Sequence, residues 1–177
     1  MSDRITGLLH LYVGDGKGKT TAAVGLSVRA RGAGKRVLIA QFLKGRPTAE
    51  LKPLSELGIA VLRSKELTKF TFQMNREELA QAKQSCEELL ERVAQALKGE
   101  LFDLVVLDEV VDAVNADLLD SRRLLEVVSS RGTDVEMVMT GRNPKDDISD
   151  AADYITVMTA VKHPYERGIA SRLGIEF

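Results

Sequence analysis

The stretch YVGDGKGKTTAAVG, residues 12–25, constrains the fold of this 177-residue chain more than any other. An apolar run ends at Val13, glycines alternate at Gly14, Gly16 and Gly18, and Lys19-Thr20-Thr21 opens an alanine-rich helical pattern. Strand, glycine-rich turn and helix start in that order make a phosphate cradle. The glycines let backbone amides face an anion, the helix N-terminus adds partial positive charge, Lys19 neutralises phosphate oxygens, and the Thr20 hydroxyl can ligate Mg2+. Asp15, Lys17 and Thr21 complete the candidate nucleotide contacts of the loop; Lys17 by itself reads more readily as a solvated charge than as a ligand. One detail is irregular. A phosphate-binding loop reads G-x-x-x-x-G-K-[ST], and counting back from Gly18 puts Val13 in the first glycine's slot, with Gly14 one place late.

The rest of the chain supplies the sheet such a loop needs. Short apolar runs at 7–13, 36–42, 59–62, 101–110, 135–141 and 154–158 alternate with helical patterns. They read as continuous Val/Ile/Leu runs, as parallel strands covered on both faces require. Asn75 caps a long helix, with Glu78 three residues on and Gly99 as its stop; Ser121 caps another. The expected fold is a single-domain α/β protein, a three-layer α/β/α sandwich with a mostly parallel six-stranded sheet of the RecA-like P-loop NTPase type. LVVLDE adds a candidate metal carboxylate, Asp108, with Glu109 beside it, about ninety residues after the loop. Together they point to Mg2+ with a nucleoside triphosphate. With no Asn-Lys-x-Asp guanine reader in the sequence, ATP is favoured over GTP.

Composition removes other classes. A net charge of −1 gives no global field for nucleic acid or an anionic membrane. The one cysteine, Cys86, cannot form an internal disulfide and reads as a half-buried helix residue. With no signal or spanning segment, the expectation is a soluble cytoplasmic protein without nucleic-acid or membrane partners. His10, inside the first strand, reads as structural.

Four stretches then resemble one family: GDGKGKTTAAVGLSVRARGAGK at 14–35, QFLKG at 41–45, FDLVVLDEV at 102–110, and TGRNPKDDISDAADYITVMTAVKHPYERGI at 140–169. In this order, over nearly the whole chain, they look like the P-loop ATP:corrinoid adenosyltransferases. The resemblance implies that the shifted loop holds ATP reversed, so that the 5′ carbon of the ribose meets the acceptor. Reduced corrinoid Co(I) would displace triphosphate there, with Lys19, Mg2+ and the loop amides steadying the leaving group. Arg142 is a second counter-ion for it, or else an exposed loop charge. The resemblance further implies aromatic residues under the corrin, matched here by Phe70 and Phe72 where the familiar pattern is Phe-x-Trp; on the sequence alone the two read rather as core residues of an edge strand. It also implies flavodoxin or reduced flavin as electron donor, and a homodimer. Lys162 and His163 fall in a matching motif, with His163 either a cobalt ligand or a hydrogen-bonding organiser. The familiar members carry an N-terminal segment over the corrinoid, whereas about six residues precede the first strand here, so a more open site, or one closed by the partner subunit, is expected. The reading from another class is a P-loop ATPase or small-molecule kinase; a third is a corrinoid or nucleotide carrier without turnover.

Overall fold

The computed structural model describes residues 6–45, 48–64 and 73–176. Six strands, β1 (Leu9–Val13), β2 (Val37–Gln41), β3 (Ala60–Arg63), β4 (Leu104–Asp108), β5 (Glu136–Thr140) and β6 (Tyr154–Val157), form one sheet in the order β3-β2-β4-β5-β1-β6. Every pairing is parallel, so all six carboxyl ends share one edge. This tightens "mostly parallel" to wholly parallel, with each return made by a crossover, as parallel neighbours demand.

The burial pattern gives the layers. Leu104 and Val106 of β4 pack with Ala23 and Ala30 of α1 (Lys19–Gly32) and Leu54 of α2 (Leu51–Glu56). Val105 and Leu107 face the other way, onto Cys86, Leu90 and Val93 of α3 (Arg76–Lys98), Val111 of α4 (Val110–Asn115), Leu124 of α5 (Ser121–Ser129) and Ile148 of α6 (Asp146–Asp150). A strand covered on both sides in this way runs apolar along its length, and β2 and β4 are buried throughout, with Gln41 and Asp108 as their polar last residues at the carboxyl edge.

Four sequence readings need correction. Cover on both faces fails at the sheet's edge: every residue of β6 is exposed, with Tyr154, Ile155 and Val157 half-exposed or more. The run 101–110 does not stay extended to Val110, because Glu109 takes the left-handed conformation (φ 60°) and starts α4. The α5 cap is Asp120, whose carboxylate accepts the Arg123 amide at 2.9 Å, and Ser121 is the first helical residue. Cys86 is fully buried instead of half-buried, which pushes its thiol up to about 12 and leaves it inert. The Asn75 capping box is present in both directions, Glu78 N to Asn75 Oδ1 at 2.9 Å and Asn75 N to Glu78 Oε2 at 2.8 Å. No helix among the described residues is long and apolar enough to cross a membrane.

Candidate functional site

The site lies along the carboxyl edge of the sheet, where ligands bind in open α/β folds. Five residues, 14–18, join β1 to α1. Their glycines answer to a neighbour as well as to a ligand. The Gly16 amide donates to Met158 O at 2.7 Å, and a side-chain carbon on Gly14 or Gly16 would sit 2.3 or 2.6 Å from that oxygen. Gly14 also has φ 108°. The segment after β6 therefore lies against the loop, and Asp15 fastens it, accepting the Ala160 amide at 3.2 Å. Asp15 thus clasps the loop, and the Gly16 amide is paired with Met158 O. The amides of Lys19, Thr20 and Thr21 open α1 and, as first-turn donors, have no carbonyl partner within their own helix.

Lys19 folds over its own loop, donating to Gly14 O at 2.6 Å and Gly16 O at 2.8 Å. Burial, followed by the nearby Arg142 guanidinium, lowers its affinity for the proton. Two cations thus face one space. It is a cavity of about 540 Å3 lined by Lys19, Thr20, Glu109, Asp112, Thr140 and Arg142, among others. The TGRN turn that carries Arg142 is held from below, because Asn115 Nδ2 donates to Arg142 O at 2.7 Å and to Asn143 O at 3.2 Å.

Asp108 is the buried centre, 1% exposed. Its Oδ1 accepts the hydroxyls of Thr20 at 2.9 Å and Thr140 at 2.8 Å. The Thr140 hydroxyl also accepts the Glu109 amide at 2.8 Å, which helps hold Glu109 in its left-handed turn. Among the described residues no hydrogen-bond donor is aligned on Asp108 Oδ2; the Lys44 ammonium lies 2.9 Å from it in an ionic contact. Burial pulls Lys44 down, but Asp108, Glu109 and Glu50 together outweigh it and the net shift is upward. Glu109 is pushed up to about 7, by burial first and then by Asp108, and Asp112 is raised mainly by burial.

This donor set fits a divalent ion that brings its own phosphate ligands. A buried carboxylate oxygen without an aligned donor beside a threonine hydroxyl suits Mg2+, which takes few protein ligands and keeps phosphates and waters. No group of three or more His, Cys, Asp or Glu side chains among the described residues is placed to hold an ion alone.

Lys17, Lys162 and His163 meet on the other flank of the loop, in a cavity of about 350 Å3 shared with Tyr165, Arg172 and Glu176. Lys17 pairs with Glu176 at 3.1 Å. His163 caps the 3-10 turn Pro164–Arg167 by accepting the Tyr165 amide on Nδ1 at 3.2 Å, as an organiser of the turn would. Phe70 and Phe72 lie outside the described residues. His10 pairs with Glu136 at 2.5 Å, on β1. Sequence reasoning missed Lys44, Asp112, Asn115 and Thr140. Their one signal was position, at or just beyond the carboxyl ends of strands.

The family model described as ATP:corrinoid adenosyltransferase BtuR/CobO/CobP matches residues 5–177. The chain is similar to the corrinoid adenosyltransferase CobA of Salmonella typhimurium, 33% identical over 172 residues, covering 97% of this chain and 86% of that protein. It is likewise similar to the corrinoid adenosyltransferases of Escherichia coli K12, 32% identical with the same coverage, and of Pseudomonas aeruginosa, 33% identical over 176 residues, covering 97% and 84%.

Proposed function

Because the chain belongs to the ATP:corrinoid adenosyltransferase family, we propose that it transfers the 5′-deoxyadenosyl group of ATP to the Co(I) of a reduced corrinoid. The observation that carries the assignment of roles is the convergence of Lys19, Arg142 and Thr20 on one cavity at the carboxyl edge of the sheet, with buried Asp108 bonded to the Thr20 hydroxyl behind it.

The substrate cobalt attacks C5′ with its electron pair, a cobalt–carbon bond forms, the C5′–O bond breaks, and the pair leaves on triphosphate. No proton moves in that displacement, so the protein's work is alignment and charge stabilisation. Lys19 and Arg142 face the leaving triphosphate. The free amides of the first turn of α1 bind its oxygens, and Gly14, Gly16 and Gly18 let the chain pass close enough for them to do so. Thr20 and Asp108, with Glu109 next to them, would hold Mg2+, which when bound neutralises phosphate charge. Lys17, Lys162 and His163 form the outer wall beside the loop. Phe70 and Phe72 remain the proposed apolar wedge under the corrin, easing reduction of Co(II) by flavodoxin or reduced flavin. A homodimer belongs to the same proposal, supported by the resemblance and by the exposed apolar edge at β6; light scattering in solution tests it.

The deciding experiment is an anaerobic incubation with Mg-ATP and chemically reduced cob(I)alamin, following the Co(I) absorbance and identifying the phosphate product. Adenosylcobalamin with triphosphate is the expected result. Persistent Co(I) with accumulating ADP would replace this reading with an ordinary phosphoryl-transfer enzyme.

A further inference from the structure

Lys44 is, among the described residues, the one cation that touches the buried carboxylate at the centre of the site, and its surroundings are unusual for a lysine. Its side chain is 17% exposed. It follows β2 at the carboxyl edge, in a segment anchored from several sides: the Arg63 guanidinium donates to Lys44 O, the Phe42 amide donates to Asp108 O at 3.0 Å, and Ser64 Oγ donates to Phe42 O at 2.5 Å. Its ammonium stands between two carboxylates, 2.9 Å from Asp108 Oδ2 and 3.4 Å from Glu50 Oε1. Glu50 is steadied in turn by Gln41 Nε2 at 3.2 Å. Lys44, Glu50, Glu109, Thr20 and Thr21 all line one cavity of about 370 Å3.

This arrangement resolves a difficulty. A carboxylate oxygen buried without a donor is costly, and a chain that offers one to an incoming ion must tolerate it before the ion arrives. We propose that Lys44 is a built-in placeholder for the divalent metal: it holds Asp108 Oδ2 in the nucleotide-free protein and yields that oxygen when the metal–nucleotide complex binds, shifting its ammonium to Glu50. The shift is short, because the ammonium already lies within ion-pair range of both carboxylates, and it leaves neither charge unpartnered. The inference rests on the proposed metal role of Thr20 and Asp108, and it adds an exchange of cations at Asp108 to the proposed binding step.

Calorimetric titration of ATP, without corrinoid and so without turnover, tests it. The quantity to read is the ratio of the dissociation constant in EDTA to that in Mg2+. Lys44→Met removes the placeholder, which weakens metal-free binding and leaves the metal unopposed at Asp108, so the ratio rises about tenfold, the order expected for a unit charge at contact range in a half-screened site. Glu50→Gln removes the parking place and keeps Lys44 on Asp108, so the ratio falls. Opposite movements of the ratio, with the Mg2+ constant itself tighter in Lys44→Met and weaker in Glu50→Gln, support the exchange. A lysine that is only structural leaves the ratio unmoved, and one that simply binds phosphate raises it in Lys44→Met with the Mg2+ constant weaker than wild type, because metal-free ATP carries the larger charge; either result overturns the proposal. Should Lys44→Met fail to fold, the Mg2+ constant of Glu50→Gln decides alone, and one no weaker than wild type overturns it. A wild-type protein that binds ATP equally with and without Mg2+ refutes the Thr20–Asp108 metal site itself, a separate failure from an unmoved ratio.

Discussion

Replacing Thr140 with valine deletes one buried hydroxyl and leaves the shape almost unchanged. That hydroxyl gives its proton to Asp108 Oδ1 at 2.8 Å and accepts the Glu109 amide at 2.8 Å, in a side chain 1% exposed. Losing a hydrogen bond to a carboxylate costs about 1.5–3 kcal/mol, and leaving the Glu109 N–H without a partner costs about 1–3 more. Burial of the extra methyl offsets roughly 1 kcal/mol, so the net loss is about 1.5–5 kcal/mol, a fall in Tm of about 3–20 °C for a chain of this size. Thr140→Ser keeps the hydroxyl and loses one methyl, at about 1 kcal/mol. Urea unfolding of the nucleotide-free protein, followed by circular dichroism, reads both variants, with the slope m expected to stay constant. The order wild type, serine, valine is the signature of the hydrogen bonds. If valine lies within about 0.5 kcal/mol of wild type, or serine is as damaging as valine, the two bonds do not hold this turn together.

Three further outcomes follow from the site. Glu109 is raised from the ordinary value of 4.5 to about 7, so the native state holds a proton that the unfolded chain has lost; its contribution is complete below the unfolded value and fades as pH rises through about 7, a loss on the order of 3 kcal/mol. In metal-free buffer, Glu109→Gln should remove that slope from urea-unfolding free energies between pH 5 and 8, and an unchanged slope counts against the burial argument. Lys19→Ala should lower the rate of adenosyl transfer to cob(I)alamin by about a hundredfold or more, with Arg142→Ala intermediate; an unaffected Arg142→Ala would make that residue a loop charge only. Phe72→Ala should slow reaction from Co(II) corrinoid with a flavin reductant and spare pre-reduced Co(I); equal losses on both substrates would remove the wedge role.

What the sequence made legible is what local pattern controls. The central strands could be read because burial on both faces keeps them apolar up to their last residue, Gln41 in β2 and Asp108 in β4, and the Asn75 box because its two bonds join residues three apart. The β4–α4 junction was misread because Val110 and Val111 continue an apolar, β-branched run; helix there is imposed by burial against the sheet, with Glu109 absorbing the turn at positive φ. Asp120 and Ser121 are both good caps side by side, and residue type alone does not rank them. Lys44 and Thr140 were beyond reach for a topological reason. Their contact with Asp108 exists because β2 and β5 flank β4, and strand order is not written in any one segment.

The same strand order sets the charge of the site, and the charge bears on what enters it. Among the described residues, Lys19, Lys44 and Arg142 share the two cavities of the carboxyl edge with Glu50, Glu109, Asp112 and Glu176, and Asp108 lies buried against Lys44. Lys44 lies against two of these acids, which leaves Lys19 and Arg142 as the cations facing the larger cavity. Such an edge is a poor trap for bare polyphosphate, since Glu109 and Asp112 resist ionisation and an anion nearby would resist it further. It is a better trap for a nucleotide accompanied by its cation, because each added positive charge relieves a carboxyl group as well as a phosphate. In a displacement at carbon the leaving group departs with all of its phosphate charge on one side of the breaking bond. A site balanced in this way stabilises that charge with partners already in place when the bond breaks, and it needs no acid to protonate the departing oxygen.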